Sequence, residues 1–241
     1  MNATRVISGP LLIAAFCLPV AARAAGVTAK VTATSASGAV RPSRDVGAVL
    51  WLTPLDTSVP PAPTADTTHP QLVQRNKTFE PHVLAVEVGS EVDFPNRDPF
   101  FHNVFSLFNG KRFDLGLYEA GSTRAVRFDR EGICYIFCNI HPQMSAVVVV
   151  VGTPYFAVSD ARGELIVSTV PPGRYRLNLW QEHCASKTLH ELSREVLVGD
   201  ATLSLGDIVL RESSQPILAH LNKYGKQYDP EVFSSPLYTS P

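Results

Sequence analysis

The run Ala146-Val147-Val148-Val149-Val150-Val151, apolar at every position, constrains this chain more than any other stretch. A strand sends successive side chains to opposite faces, so a strand with no polar position must be covered on both. The run stops at strand length, well short of the roughly 20 apolar residues of a membrane-spanning helix. One cover is the core of the unit to which the strand belongs. The other is expected from a neighbouring unit.

Around this run the chain alternates with period two in short pieces. Val27, Ala29, Val31 and Ala33 alternate with Thr28, Lys30 and Thr32, and a second strand from Val46 to Thr53 carries Ala48, Leu50 and Leu52 on one face. Leu84, Val86 and Val88 precede the turn Gly89-Ser90, after which Val92 and Phe94 resume an inward face. Val126 and Phe128 mark another strand, and Cys134, Ile136 and Cys138 share one face of the next. Beyond Thr153-Pro154 come Phe156 and Val158, Leu165 to Val167, a strand with Tyr175, Leu177 and Leu179 inward, then Glu195 to Val198 and Leu203 to Leu210. Short strands at this spacing predict an all-β chain built of sandwiches. Residues 54–71, which include Pro60-Pro61-Ala62-Pro63, read as a linker, and 106–123 as loop-rich. Residues 213–241 read as a tail with one helical turn over Ile217–Leu221.

With 45% hydrophobic and 18% charged residues the composition is globular. The first 24 residues have the form of a signal peptide: Arg5, an apolar stretch from Val6 to Val20, and the cleavage pattern Ala22-Arg23-Ala24. Phe16 before Cys17 is too large for a lipid-anchored precursor. A periplasmic or secreted protein is expected, with no transmembrane segment. Removing Arg5 and Arg23 leaves 19 basic against 22 acidic residues, a formal charge of −3, and no basic stripe suggests nucleic acid. Cys134, Cys138 and Cys184 survive cleavage. A Cys134–Cys184 disulfide would suit the compartment, but strand parity places Cys134 in the core as a small hydrophobe.

Cys138, His141 and Met144 stand three residues apart, directly after a strand. Thiolate, imidazole and thioether together are the donors copper prefers, and a trigonal His₂Cys set with a weak axial Met is the arrangement of blue-copper centres. His102, in Phe100-Phe101-His102-Asn103, supplies the second imidazole. Singly, Cys138 reads as a structural cysteine, His102 as a satisfied polar residue and Met144 as core; together they read as one metal site. Zinc fits less well, because a thioether adds little to it. His183-Cys184 with His190 is the nearest approach to a second metal spacing, and Asn76-Lys77-Thr78 matches a glycosylation acceptor.

Phe79-Glu80-Pro81, the Val88-Gly89-Ser90 turn, Phe94-Pro95-Asn96, His102-Asn103 and Cys138-x-x-His141-x-x-Met144 resemble a cupredoxin of the plastocyanin and amicyanin group. The short step from His141 to Met144, with Pro142 between, is similar to amicyanin. Over residues 72–151 the resemblance implies a Greek-key β-sandwich holding one type 1 copper on His102, Cys138, His141 and Met144, with single-electron transfer as its function. It implies that Asn103 ties the first ligand segment to the cysteine loop, and that Pro99, Phe100, Phe101, Pro142 and Met144 gather at the solvent edge of His141 as a docking patch. A redox protein partner follows, with a dehydrogenase such as methylamine dehydrogenase as one candidate donor and a cytochrome c as acceptor. Copper oxidases and nitrite reductases need a further His-rich centre that the sequence does not suggest, so the expectation is not an enzyme. The rival reading is a non-redox copper-binding interaction module.

Residues 25–53 and 153–212, including Val170-Pro171-Pro172-Gly173-x-Tyr175-x-Leu177, are similar to the carboxypeptidase regulatory-like, transthyretin-like sandwich. The segments adjacent in that family are separated here, which implies a cupredoxin inserted into a split host rather than three consecutive pieces. Loop-closure cost grows only logarithmically with length, so a host can close across such an insert.

Overall fold

The computed structural model describes residues 25–40, 47–56, 69–107, 110–213 and 221–228. The expected signal peptide, most of the Pro-rich linker and all but the last residue of the helical turn over Ile217–Leu221 lie outside these residues. No helix among the described residues is long and apolar enough to cross a membrane.

Among the described residues the chain is all-β apart from one short helix. It opens with β1 (Ala25–Thr34), whose burial alternates as its sequence does, and β2 (Val49–Pro54). A unit of nine strands follows: β3 (Val73–Arg75), β4 (Thr78–Glu80), β5 (Val83–Glu87), β6 (Glu91–Pro95), β7 (His102–Ser106), β8 (Phe113–Tyr118), β9 (Thr123–Arg127), β10 (Gly132–Phe137) and β11 (Ser145–Val151). Its main sheet runs β5-β11-β10-β7-β8, with β6 paired to β9 and β3 to β4 in two-stranded ribbons. Phe94, Val104, Tyr118, Phe128, Ile136 and Val148 pack together between these layers.

After β11 come β12 (Phe156–Val158), β13 (Glu164–Val170), β14 (Gly173–Trp180), helix α1 (Ser186–Leu192), β15 (Arg194–Val198) and β16 (Leu203–Arg211). These strands complete the first two. β1 lies between β13, antiparallel, and β16, parallel; β2 lies between β12 and β14 in a second sheet. Val31, Leu50, Leu165, Tyr175 and Leu177 fill the space between those sheets. The β3–β11 sandwich is thus set into the connection between two parts of another sandwich. Where the chain re-enters the host, the Thr153 hydroxyl donates to the Leu52 carbonyl at 2.9 Å and Leu52 N–H donates to the Tyr155 carbonyl at 2.9 Å, stitching the return to β2.

β11 explains why its sequence is apolar throughout. Ala146, Val148 and Val150 face the core of their own sandwich. Val147, Val149 and Val151 face the other way and join Val83 and Ala85 against Val49 and Trp180 of the host, forming an apolar seam between the two sandwiches. At the edge of the seam, His82 Nε2 meets Glu182 Oε2 at 2.7 Å.

One segment departs from expectation. The stretch 106–123 is not merely loop-rich, since β8 runs along the sheet edge against β7 with a register irregularity between Asn103 and Phe105. The three cysteines among the described residues are free, and Cys134 is buried in its sandwich core as strand parity predicts, with Cys184 in the other core.

Candidate metal centre

β7 is buried at all five positions, because it is an inner strand of the main sheet and its other face packs into the core. It begins with His102. β10 pairs with β7 through Phe137 and Phe105, and with β11 from Gly132–Val150 to Phe137–Ser145. Residues 138–144 therefore form the connection between two paired strands, and the register delivers Cys138 beside the start of β7. The connection is folded on itself. Cys138 N–H donates to the Met144 carbonyl at 3.3 Å and Met144 N–H to the His141 carbonyl at 2.9 Å.

Three donor atoms converge there. His102 Nδ1 and His141 Nδ1 are 3.1 Å apart, and the Cys138 sulfur lies 3.8 Å from the first and 3.6 Å from the second. All three side chains are buried. A point equidistant from these three atoms lies about 2.0 Å from each, the metal–nitrogen bond length and about 0.3 Å short of a metal–sulfur bond. The residues present thus fit a single first-row metal ion. Met144 is fully buried in the same apolar cluster as Cys138.

Burial favours neutral imidazoles, which is the ligating form. Desolvation, with His102 and the Lys77 ammonium nearby, pushes His141 down to about 4. Desolvation also lowers His102, although the Asp98 carboxylate opposes it. The Cys138 thiol is pushed up by burial, against backbone N–H groups of Asn103, Ile140 and His141 that favour the thiolate. Metal binding must therefore displace one proton from sulfur.

The supporting residues are only partly those expected from sequence. Asn103 does join the two ligand segments: its side-chain oxygen accepts from Asn139 N–H at 3.3 Å. Asp98 has no sequence signal of its own, yet its carboxylate holds His102 Nε2 at 2.8 Å, which turns Nδ1 toward Cys138. Asp98 is itself clamped by backbone N–H groups of Asn76 at 2.6 Å and Lys77 at 2.9 Å. Both turn residues have positive φ, 52° and 54°, which aims their N–H groups to the same side of the β3–β4 hairpin. The tripeptide read as a glycosylation acceptor thus supplies a carboxylate clamp.

The expected apolar patch is divided. Phe100 packs against both ligand rings, edge-on to His102 with centroids 5.3 Å apart and tilted to His141 at 5.7 Å, while Phe101 is 56% exposed. Met144 is not at a solvent edge: it and His141 are buried. Leu117, opposite Asn103 in the β7–β8 register and 58% exposed, is an apolar surface residue that sequence reasoning missed. His183, Cys184 and His190 do not come together as a metal-binding group among the described residues; His69, Glu91 and Asp93 do, in an exposed cluster.

No family model matches the sequence, and no curated protein matches it. Among solved structures the chain is similar to a purple cupredoxin from Nitrosopumilus maritimus, at 26% identity and TM-score 0.32, over 34% of this chain and 99% of that one. It is similar to a variant of amicyanin in the Cu(I) form, at 21% identity and TM-score 0.34, over 42% of this chain and 99% of that one. A copper-containing nitrite reductase from Thermus scotoductus is similar at 22% identity and TM-score 0.34, over 41% of this chain; only 25% of the reductase is spanned.

Proposed function

We propose that this protein is a periplasmic or secreted type 1 copper protein that carries single electrons between redox partner proteins and is not itself an enzyme. The observation that carries this reading is the convergence of His102 Nδ1, His141 Nδ1 and the Cys138 sulfur within 3.1–3.8 Å of one another in a buried pocket. Met144, buried in the same cluster, would be the weak fourth ligand. Bound copper would supply the Cu(II)/Cu(I) couple; everything else is the work of the chain.

That work is to hold the donors still. Cu(II) favours tetragonal nitrogen and oxygen surroundings and Cu(I) soft donors of lower coordination, so a site fixed between the two rearranges little when an electron passes. His102 is locked by Asp98, Cys138 by three backbone N–H groups, and the loop by its bonds between Cys138, His141 and Met144. Phe100 packs against both imidazoles, which are buried. Exposed Phe101 and Leu117 at this end offer a small apolar face for transient docking. A dehydrogenase of the methylamine type is a candidate donor and a cytochrome c a candidate acceptor.

Copper reconstitution of the mature protein tests the reading. One equivalent should bind with an intense visible thiolate-to-copper band that Cys138→Ser abolishes, and voltammetry should show a fast, reversible one-electron wave. Uptake without that band overturns the type 1 assignment. The band with a sluggish or absent wave would instead make the protein a copper-binding interaction module.

A further inference from the structure

The segment 221–228 returns to the ligand loop from far along the chain, although its sequence reads as tail. Asn222 shapes it locally: its side-chain oxygen accepts from Tyr224 and Lys226 N–H at 3.0 Å each, and its own N–H donates to the Lys226 carbonyl at 2.8 Å. Gly225, at φ 73°, closes the turn.

This turn completes a ring of hydrogen bonds. Asn103 Oδ1 accepts from Asn139 N–H at 3.3 Å, and Asn139 Oδ1 accepts from Lys223 N–H at 3.0 Å. Lys223 Nζ then donates to Asp114 Oδ2 at 2.9 Å, and Asp114 Oδ1 accepts from Asn103 Nδ2 at 2.7 Å. Four segments distant in sequence are thereby joined, and two of the ring's members are the immediate neighbours of His102 and Cys138. Outside the ring, the Tyr228 hydroxyl donates to the Cys138 carbonyl at 2.9 Å.

We propose that Asn222–Tyr228 is a strap built into the metal centre, with Lys223 and Tyr228 as positioning residues that hold the Cys138–Met144 loop in its ligating shape before metal arrives. Tyr228 fixes the carbonyl of Cys138 itself. Lys223 fixes the next residue through its backbone and the β8 edge through its ammonium group, so the loop cannot lift without breaking contacts at both ends of the strap. The consequence for electron transfer rests on the copper reading above; the effect on the metal-free loop does not.

The test is alkylation of Cys134, Cys138 and Cys184 by iodoacetamide in full-length, metal-free protein, followed residue by residue by mass spectrometry. Tyr228→Phe combined with Lys223→Met removes two hydrogen bonds and should speed alkylation of Cys138 about 30-fold, which is about 2 kcal/mol. Cys134, buried in the same sandwich core but outside the strap, should keep its native rate. Tyr228→Phe with Lys223→Arg should recover much of the protection, because the cation opposite Asp114 is retained. A Cys138 rate within about twofold of native in the double variant, or an equal rise at Cys134, overturns the strap. The copper-loaded variants should also show a shifted reduction potential. If native protein binds no copper, the electron-carrier reading fails while the alkylation result still judges the strap.

Discussion

Asp98 shows how one carboxylate sets the behaviour of a site it does not enter. Buried and fixed by two backbone donors, it orients His102 and places a negative charge behind the imidazole, which favours the higher metal charge. Asp98→Asn should therefore weaken copper binding about 10–100-fold in competition with a chelator and raise the reduction potential. An unchanged potential would reduce Asp98 to a fold residue. The histidines make a second prediction. His141 and His102 both titrate lower in the folded chain than in the unfolded one, so the unfolded state binds more protons as pH falls below about 6.5. Metal-free protein should lose stability from pH 6.5 down to about 4, where His141 itself protonates, and Asp98, also lowered, extends the loss in more acidic solution. Urea midpoints across this range, with and without copper, test it: bound metal should flatten the slope.

At the scale of the element, β11 serves two interiors with alternate residues. Val148→Ala opens a cavity in the sandwich that carries the site, and Val149→Ala opens one in the seam; each should cost about 2 kcal/mol. Trp51 and Trp180, the two tryptophans of the chain, both line the seam, so their fluorescence should respond to Val149→Ala and much less to Val148→Ala. Equal responses would mean that β11 does not separate the two interiors. This doubly covered strand was legible because five consecutive valines, Val147 to Val151, leave no solvent-facing parity. The ligands were legible because spacing after a strand end is a local property. β7 was harder to read, since His102, Asn103 and Ser106 are polar yet buried in a structured site. β8 was hidden by its place at the sheet edge and by Gly116, at φ 68°, near the register irregularity. Asp98, Lys77, Lys223 and Tyr228 act only through contacts made after folding, which no spacing rule describes.

For the whole molecule, the seam and its polar edge decide whether the two sandwiches act as one body. The bond to Glu182 raises the titration of His82, so its contribution is complete below pH 6.5 and fades as pH rises through the raised value. His82 is about half exposed, and the pair should be worth no more than about 1 kcal/mol. Comparing native protein with His82→Ala by urea unfolding from pH 6 to 9, the native advantage should shrink with increasing pH; a constant difference would show that the charge on His82 is irrelevant. The order of strands in the host has a further consequence during synthesis. β1 emerges early, but its neighbours β13 and β16 lie on the far side of the inserted sandwich, and at about 5–20 residues per second the ribosome needs roughly 10–30 s to reach them from β1. Throughout that interval β1 lacks both of its sheet neighbours while every strand of the inserted sandwich is already present, so the guest can close before the host.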